Sequence, residues 1–336
     1  DIEPYPELAK SWEWSADGKE LTMYLIEGAK WSDGEPFTAD DVMFTWEGYV
    51  LDPNVNSPLR IDALTWDGVA TTLEKIDDYT IKFTFPVEKP MGVFYYMDDE
   101  TFIVMPEHQL KPVHPQWSET PTDYEAFENF LAPDNLPIVT MGPWVITEYK
   151  TDELMIMRRN PYYWKVDEDG NQLPYMDEIQ YVKGPSGAGR DLCTMAGDCD
   201  HMNLENPSTF VEAMTRAQEP DASFRVTWGP ETLGYALEMN QSLDYGVQSE
   251  ADTAVRELLR TFEFRRAISH AVDRDGIAQA IMRGPFLRPW AGGLYPGSPE
   301  FDRESVVYYD YDPESAMALL AQMGLEDTDG NGILNV

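Results

Sequence analysis

Residues 11–49, SWEWSADGKELTMYLIEGAKWSDGEPFTADDVMFTWEGY, carry the densest run of local structure signals in the chain. Asp17-Gly18 lies between Trp12/Trp14 and the alternating Leu21, Met23 and Leu25. That pattern predicts two antiparallel strands joined by a tight turn with positive φ. Ser32-Asp33-Gly34-Glu35-Pro36 forces a second reversal. Thr38 then precedes Asp40, Asp41 and an apolar stripe at Val42, Thr45, Trp46 and Tyr49, spaced i, i+3, i+4, i+7 as a capped helix requires. Asp40 and Asp41 fall at the positive end of the helix dipole, and their expected role is to start the helix, not to act as catalytic acids.

Outward from this stretch, Val69, Thr71 and Leu73 alternate, and after Asp77-Asp78 so do Tyr79, Ile81, Phe83 and Phe85, which predicts a further hairpin ended by Pro86. Proline recurs between Pro106 and Pro137, so regular structure should be short there apart from a helix near Asp123 to Leu131. Trp144–Ile146 and Leu154–Met157 read as strands around a polar turn, and 177–182 as a third strand. The glycines of 184–190 lack the Gly-Lys-Ser/Thr ending of a phosphate loop and read as a strand-to-helix connection. Helical spacing returns at Phe264, Ala267, Ile268 and Ala271, in a second piece ending at Arg283-Gly284, and from Asp312-Pro313 to Gly324.

With 336 residues, 43% of them hydrophobic, the chain can bury a substantial core in two or three domains. A formal charge of -37 argues against a nucleic-acid partner and points to a neutral or cationic ligand. No apolar run approaches the roughly 18 residues of a membrane helix. Cys193 and Cys199 are the only cysteines, and the sequence leaves a bridge and two free thiols equally open. The four histidines are isolated, no Gly-x-Ser-x-Gly elbow occurs, and no pair of carboxylates is singled out by spacing, so an enzyme is not expected. Asp327, Asp329 and Asn331 place side-chain oxygens at alternate positions, as half of a calcium loop does. No cofactor is expected: a glycine-rich turn without metal is the favoured reading, and calcium is the alternative. The aromatic residues, 12% of the chain, offer stacking faces for a ligand. Trp12, Trp14 and Trp46 sit on patterned faces and belong to the core, whereas Trp66 and Trp228 are candidates to face a cleft.

Residues 7–46, ELAKSWEWSADGKELTMYLIEGAKWSDGEPFTADDVMFTW, resemble the signature segment of the family 5 extracellular solute-binding proteins, the oligopeptide and dipeptide receptors of ABC importers. Three further segments match in the family's order. They are Gly142-Pro143-Trp144 with Arg159 to Trp164, Phe264 to Ile268 through Asp273-Arg274, and Tyr311 to Glu314 with Leu319-Leu320 and Met323-Gly324.

The resemblance implies an α/β fold, two-lobed and of the periplasmic-binding-protein type II kind, with an extra α/β subdomain. Residues 1–138 would be that subdomain of lobe I, 139–235 part of the main lobe I domain, and 236–336 the start of lobe II. It implies a piece of a longer receptor, incomplete at both ends. It also implies a periplasmic or extracellular location, with a lipid anchor in a single-membrane cell, although no secretory leader is read in these residues. The expected partners are a small oligomeric ligand and the permease subunits of an ABC importer, with the receptor itself a monomer. By position, the resemblance carries ligand contacts to Asn56, Ser57 and Arg60, to Asn203 and Glu205 after Gly197-Asp198-Cys199-Asp200, and to Glu231, Tyr235 and Asn240, joining Trp66 and Trp228. Peptide is the leading ligand reading. A short oligosaccharide is the alternative, because this chain lacks tyrosines that peptide receptors show at several of these places; a surface hydrolase or a structural protein is the remoter one. Residues 167–177, DEDGNQLPYMD, look more like members associated with oligosaccharides.

Overall fold

The computed structural model describes residues 4–334 apart from 91, 98–100, 131–134, 185–186, 205–206, 228–235, 282–296 and 299–300. The chain divides into two compact units, Asp1–Lys183 and Gly184–Val336.

In the first unit the expected hairpin forms from β1 (Ala9–Trp14) and β2 (Glu20–Leu25). Gly18 has φ +67°, and a Cβ there would lie 2.6 Å from the Glu88 side chain, so the turn needs glycine for conformation and for space. The reversal at Ser32–Pro36 leads into α1 (Ala39–Thr45). Thr38 Oγ1 accepts from the Asp40 amide at 3.3 Å, and Asp41 Oδ2 accepts from the Thr38 amide at 2.9 Å, a reciprocal cap. The other Asp41 oxygen takes the Glu107 amide at 3.0 Å. Burial pushes the Asp41 carboxyl above its ordinary value, against those two amides. Its role is to hold two helix starts.

The expected stripe Val42, Thr45, Trp46 and Tyr49 is buried, and Phe44 and Val50 are buried with it, so more than one face of this helix is covered. After α1 the helix widens to an i→i+5 turn over Trp46–Val50, with the Leu51 amide donating to the Trp46 carbonyl. Val42 and Trp46, one turn apart, pack into one apolar cluster with Trp31, Phe37, Phe83 and Phe85, while Phe44, on the opposite side of the helix, and Tyr49 enter a second with Leu110 and Phe127. Thr45 is buried too, its hydroxyl accepting from the Met105 amide at 2.8 Å. The helix is thus the shared wall of two cores.

A short hairpin, β3 (Thr65–Trp66) and β4 (Val69–Ala70), precedes β5 (Thr72–Asp77) and β6 (Thr80–Thr84). The expected strand through Val69, Thr71 and Leu73 is interrupted because the Thr71 amide turns to the Leu64 carbonyl. The four-stranded antiparallel sheet runs β1-β2-β6-β5, with Leu21, Leu73, Ile81 and Phe83 buried on the face toward the first cluster. Short helices α2 (Glu107–Leu110) and α3 (Tyr124–Phe130) lie in the proline-rich tract. A second sheet, β7 (Trp144–Lys150), β8 (Leu154–Arg159) and β9 (Glu178–Val182), follows in the order β7-β8-β9.

The described elements of the second unit are helical: α4 (Gly187–Ala196), α5 (Pro207–Arg216), α6 (Glu250–Arg260), α7 (Phe262–Ala271), α8 (Arg274–Ile281) and α9 (Pro313–Gln322). The small buried residues Ala267 and Ala316 sit where α7 and α9 pack. The Asp312 side chain caps α9 through the Ser315 amide at 3.0 Å, and Gly324, with φ +79°, closes that helix. The expected helix end at Arg283-Gly284 lies outside the described residues. Among the described residues no helix is long and apolar enough to cross a membrane.

Candidate functional site

The loop after α1 carries three of the expected contacts and is pinned from below. Asp52 is almost fully buried. Its Oδ1 accepts from the Asn54 amide at 2.9 Å and from the Asn54 side chain at 3.0 Å, which folds the chain back on itself. Its Oδ2 accepts from Gln116 Nε2 at 2.6 Å and from the Tyr124 hydroxyl at 2.8 Å. Burial alone would raise the Asp52 carboxyl; the four hydrogen bonds outweigh it and hold the group below its ordinary value.

His114 lies beside this carboxylate, 3.7 Å away and fully buried. Its Nε2 faces the Gly48 carbonyl at 3.1 Å, and its Nδ1 accepts from the Gln116 amide at 3.2 Å. Those partners fix a neutral ring with the proton on Nε2. Val55 is driven into the second cluster, and the rest of the loop stands on this base.

Above it, Asn56 is exposed, Ser57 donates its hydroxyl to the Leu59 carbonyl at 2.9 Å, and Arg60 donates to the Val55 carbonyl at 2.7 Å. Arg60 therefore staples the loop closed. Trp66 sits on the β3–β4 hairpin, whose turn Asp67-Gly68 has φ +51° and +77°, the pairing a two-residue turn with the strands' own twist demands. Its ring is half-buried and stands edge-on to Phe85 at 6.3 Å between centroids. One side serves the core and the remainder is accessible.

In the second unit, Cys193 and Cys199 form a disulfide with Cα atoms 5.4 Å apart. Gly197, at φ +84°, ends α4, and the Asp198 amide donates to the Cys193 carbonyl at 3.0 Å. The bridge fastens the helix end to the loop that leads to exposed Asn203. On the chain-entropy account so short a loop is worth about 2 kcal/mol. Reduction under native conditions is expected to lower the unfolding free energy of this unit by about that amount, read by denaturant titration with and without reductant; an unchanged midpoint would mean the bridge has no structural role. Asn240 is exposed, with its side-chain oxygen accepting from the Ser242 amide at 3.0 Å. Glu205, Trp228, Glu231 and Tyr235 lie outside the described residues. Asn56, Ser57, Arg60 and Trp66 thus belong to one unit, and Asn203 and Asn240 to the other.

The terminal loop satisfies its own side chains. Asp327 accepts from the amides of Gly330 at 2.7 Å and Gly332 at 2.8 Å, and Asn331 Oδ1 accepts from the Ile333 amide at 2.7 Å. Among the described residues no group of three or more His, Cys, Asp or Glu side chains is placed to hold a metal ion. Of the three buried aspartates among the described residues, Asp41 and Asp52 are filled by hydrogen bonds from the fold around them, and Asp191 accepts from the Thr209 hydroxyl.

Residues 3–336 match the model of the bacterial extracellular solute-binding proteins, family 5 Middle, and the chain belongs to that family. Its mixed α/β architecture is that of the type II periplasmic binding proteins. Over its whole length it is 47% identical to the periplasmic alpha-galactoside-binding protein of Rhizobium meliloti, covering 48% of that protein. The periplasmic binding protein MelB of Agrobacterium fabrum C58, solved in complex with stachyose, is 48% identical with a TM-score of 0.89; the match covers all of this chain and 50% of that one. The periplasmic oligopeptide-binding protein OppA of Salmonella typhimurium is 32% identical, covering 96% of this chain and 56% of its own. The chain spans about half the length of the curated relatives it matches.

Proposed function

We propose that this chain is part of the binding receptor of an ABC importer, outside the cytoplasm, and that its ligand is a short α-galactoside oligosaccharide. The observation that carries the reading is the gap in similarity. Identity is 47–48% across the entire chain to an α-galactoside-binding protein and to a stachyose complex, against 32% to an oligopeptide receptor. Peptide, the leading reading of the sequence, gives way to its alternative.

Side-chain chemistry agrees. Asn56, Ser57, Asn203 and Asn240 offer amide and hydroxyl groups for a neutral polyol, and Trp66 offers an apolar ring for a sugar face. Arg60, the cation among the candidate contacts, directs Nη1 to the Val55 carbonyl, which gives it a structural role in this loop. The disulfide suits an oxidising compartment. The role is capture and delivery to permease subunits, without turnover of the ligand.

A thermal-shift panel of stachyose, shorter α-galactosides and tri- to pentapeptides tests this. A ligand present at a hundred times its Kd stabilises the native state by about 2.7 kcal/mol, so stachyose is expected to raise the transition by several degrees and the peptides to leave it in place. Shifts from peptides alone would return the ligand to the peptide class.

A further inference from the structure

We infer that Arg256, Arg260 and Arg265 are positioning residues that hold the Asn240–Gln241 stretch in place for ligand; the inference rests on the proposal that Asn240 faces the bound sugar. Between residues 236 and 248 no backbone–backbone hydrogen bond joins one described residue to another. Side chains hold this connection instead. Arg256 Nη1 donates to the Asn240 carbonyl at 3.2 Å, Arg260 Nη1 donates to the Gln241 carbonyl at 3.1 Å, and Arg265 Nη1 donates to Gln241 Oε1 at 3.2 Å. Arg256 and Arg260 are one turn apart on α6, so they share a face, and Arg265 comes from the first turns of α7.

The same Arg265 nitrogen also donates to the Leu259 carbonyl at 2.8 Å, which ties the end of α6 to the clamp. Three guanidinium groups from two helices therefore meet on two consecutive residues. Their acceptors are neutral, although the chain carries 61 acidic residues against 24 basic ones, and among the described residues none of the three makes an ion pair. Acids are abundant enough to have paired these arginines if charge neutralisation were their purpose. What the acceptors share is their position in the chain. Held there, Asn240 turns its side-chain oxygen onto the Ser242 amide, and Ser242 Oγ accepts from the amides of Asp244 at 3.3 Å and Tyr245 at 2.9 Å. The arginines set the main chain, and a polar turn then forms on it.

The test follows amide exchange at residues 242–245 by mass spectrometry, alongside stachyose titration and the global melt, in the double variant Arg256→Gln/Arg260→Gln and in the single variant Arg260→Gln, whose side chain is exposed. Arg266→Gln is the control, since that guanidinium lies over the Tyr309 ring at 5.7 Å and removes the same charge from α7 without touching Gln241. Losing charge-assisted bonds on a locally held segment is expected to speed exchange about tenfold in the double variant, less in the single one, and to raise the stachyose Kd about tenfold. The melt should stay near that of the parent, and the control should match the parent in every readout. Unchanged exchange would overturn the clamp. Faster exchange with an unchanged Kd would overturn the positioning role. If the unmodified protein does not bind stachyose, the ligand proposal is what fails, and exchange alone still decides whether the arginines hold the segment.

Discussion

Replacing Asp52 by alanine is expected to cost about 3 kcal/mol and to lower the unfolding transition of the first unit by roughly 6 to 12 °C. The change removes the acceptor of four hydrogen bonds, two from Asn54 and one each from Gln116 and half-buried Tyr124, and with them the fold that seats Val55. The neighbouring imidazole adds a pH dependence of known sign. Burial pushes His114 below its ordinary value, against the Gly48 carbonyl and the Asp52 charge that pull it up. A proton on Nδ1 would also have to displace the Gln116 amide. Between the lowered folded pKa and the unfolded value near 6.5, the unfolded chain binds the extra proton, so this group's contribution is full above about pH 6.5 and falls as the pH drops below it.

Asp52 acts in a lower window. Its carboxyl sits below its ordinary value in the fold, so its contribution is present above about pH 4 and is lost as pH falls through the folded pKa. Melts recorded from pH 8 to pH 3 should decline in two stages in the parent. His114→Gln keeps a donor for Gly48 and an acceptor for Gln116, and it should remove the upper stage. If that variant declines between pH 6.5 and 5 as the parent does, the buried imidazole is not the group responsible.

Phe85→Ala is expected to cost about 4 kcal/mol, the range for removing a fully buried aromatic ring. Phe85 is 2% exposed and is surrounded by Phe83, stacked at 6.1 Å, Trp14 at 5.7 Å and Trp66 at 6.3 Å. No small shift of these large rings fills the space. Denaturant titration reads the loss, and Phe85→Leu, which keeps most of the apolar volume, should lose far less. Because Trp66 rests on Phe85, the alanine variant should also weaken stachyose binding beyond what its population of unfolded protein accounts for. A loss under 1 kcal/mol would mean that this aromatic group is not the centre of the core.

The local elements were legible because their causes are local. The Asp17-Gly18 turn, the Thr38 cap, the strands through Leu21 and Phe83, and the α9 helix from Asp312 to Gly324 are all set by residues a few positions apart. Trp66-Asp67-Gly68-Val69 carries a two-residue hairpin signal just ahead of the alternating run that begins at Val69, and the two overlap at that residue. The double-sided burial of α1 rests on Leu110 and Phe127, more than 60 residues on, and the widened turn after it is announced by no periodicity.

The seat of the candidate site was not legible at all. Asp52 meets Gln116 and Tyr124 across 64 and 72 residues, and nothing near Asp52 in the sequence names those partners. The three arginines reach back 16 to 24 residues to backbone carbonyls and an amide, acceptors that leave no compositional trace. The positions of Asn56, Asn203 and Asn240 came from family resemblance. Peptide and sugar could not be separated on the residues, because amide, hydroxyl and ring groups serve either ligand until their joint geometry is known.

Calorimetric titration of stachyose, run beside a tetrapeptide under the same conditions, bears most directly on the central claim. The account predicts saturable one-to-one heat from stachyose with a negative heat-capacity change from the apolar surface that the sugar and the aromatic rings cover, and no saturable heat from the peptide. Saturable binding of the tetrapeptide with none of stachyose would contradict it.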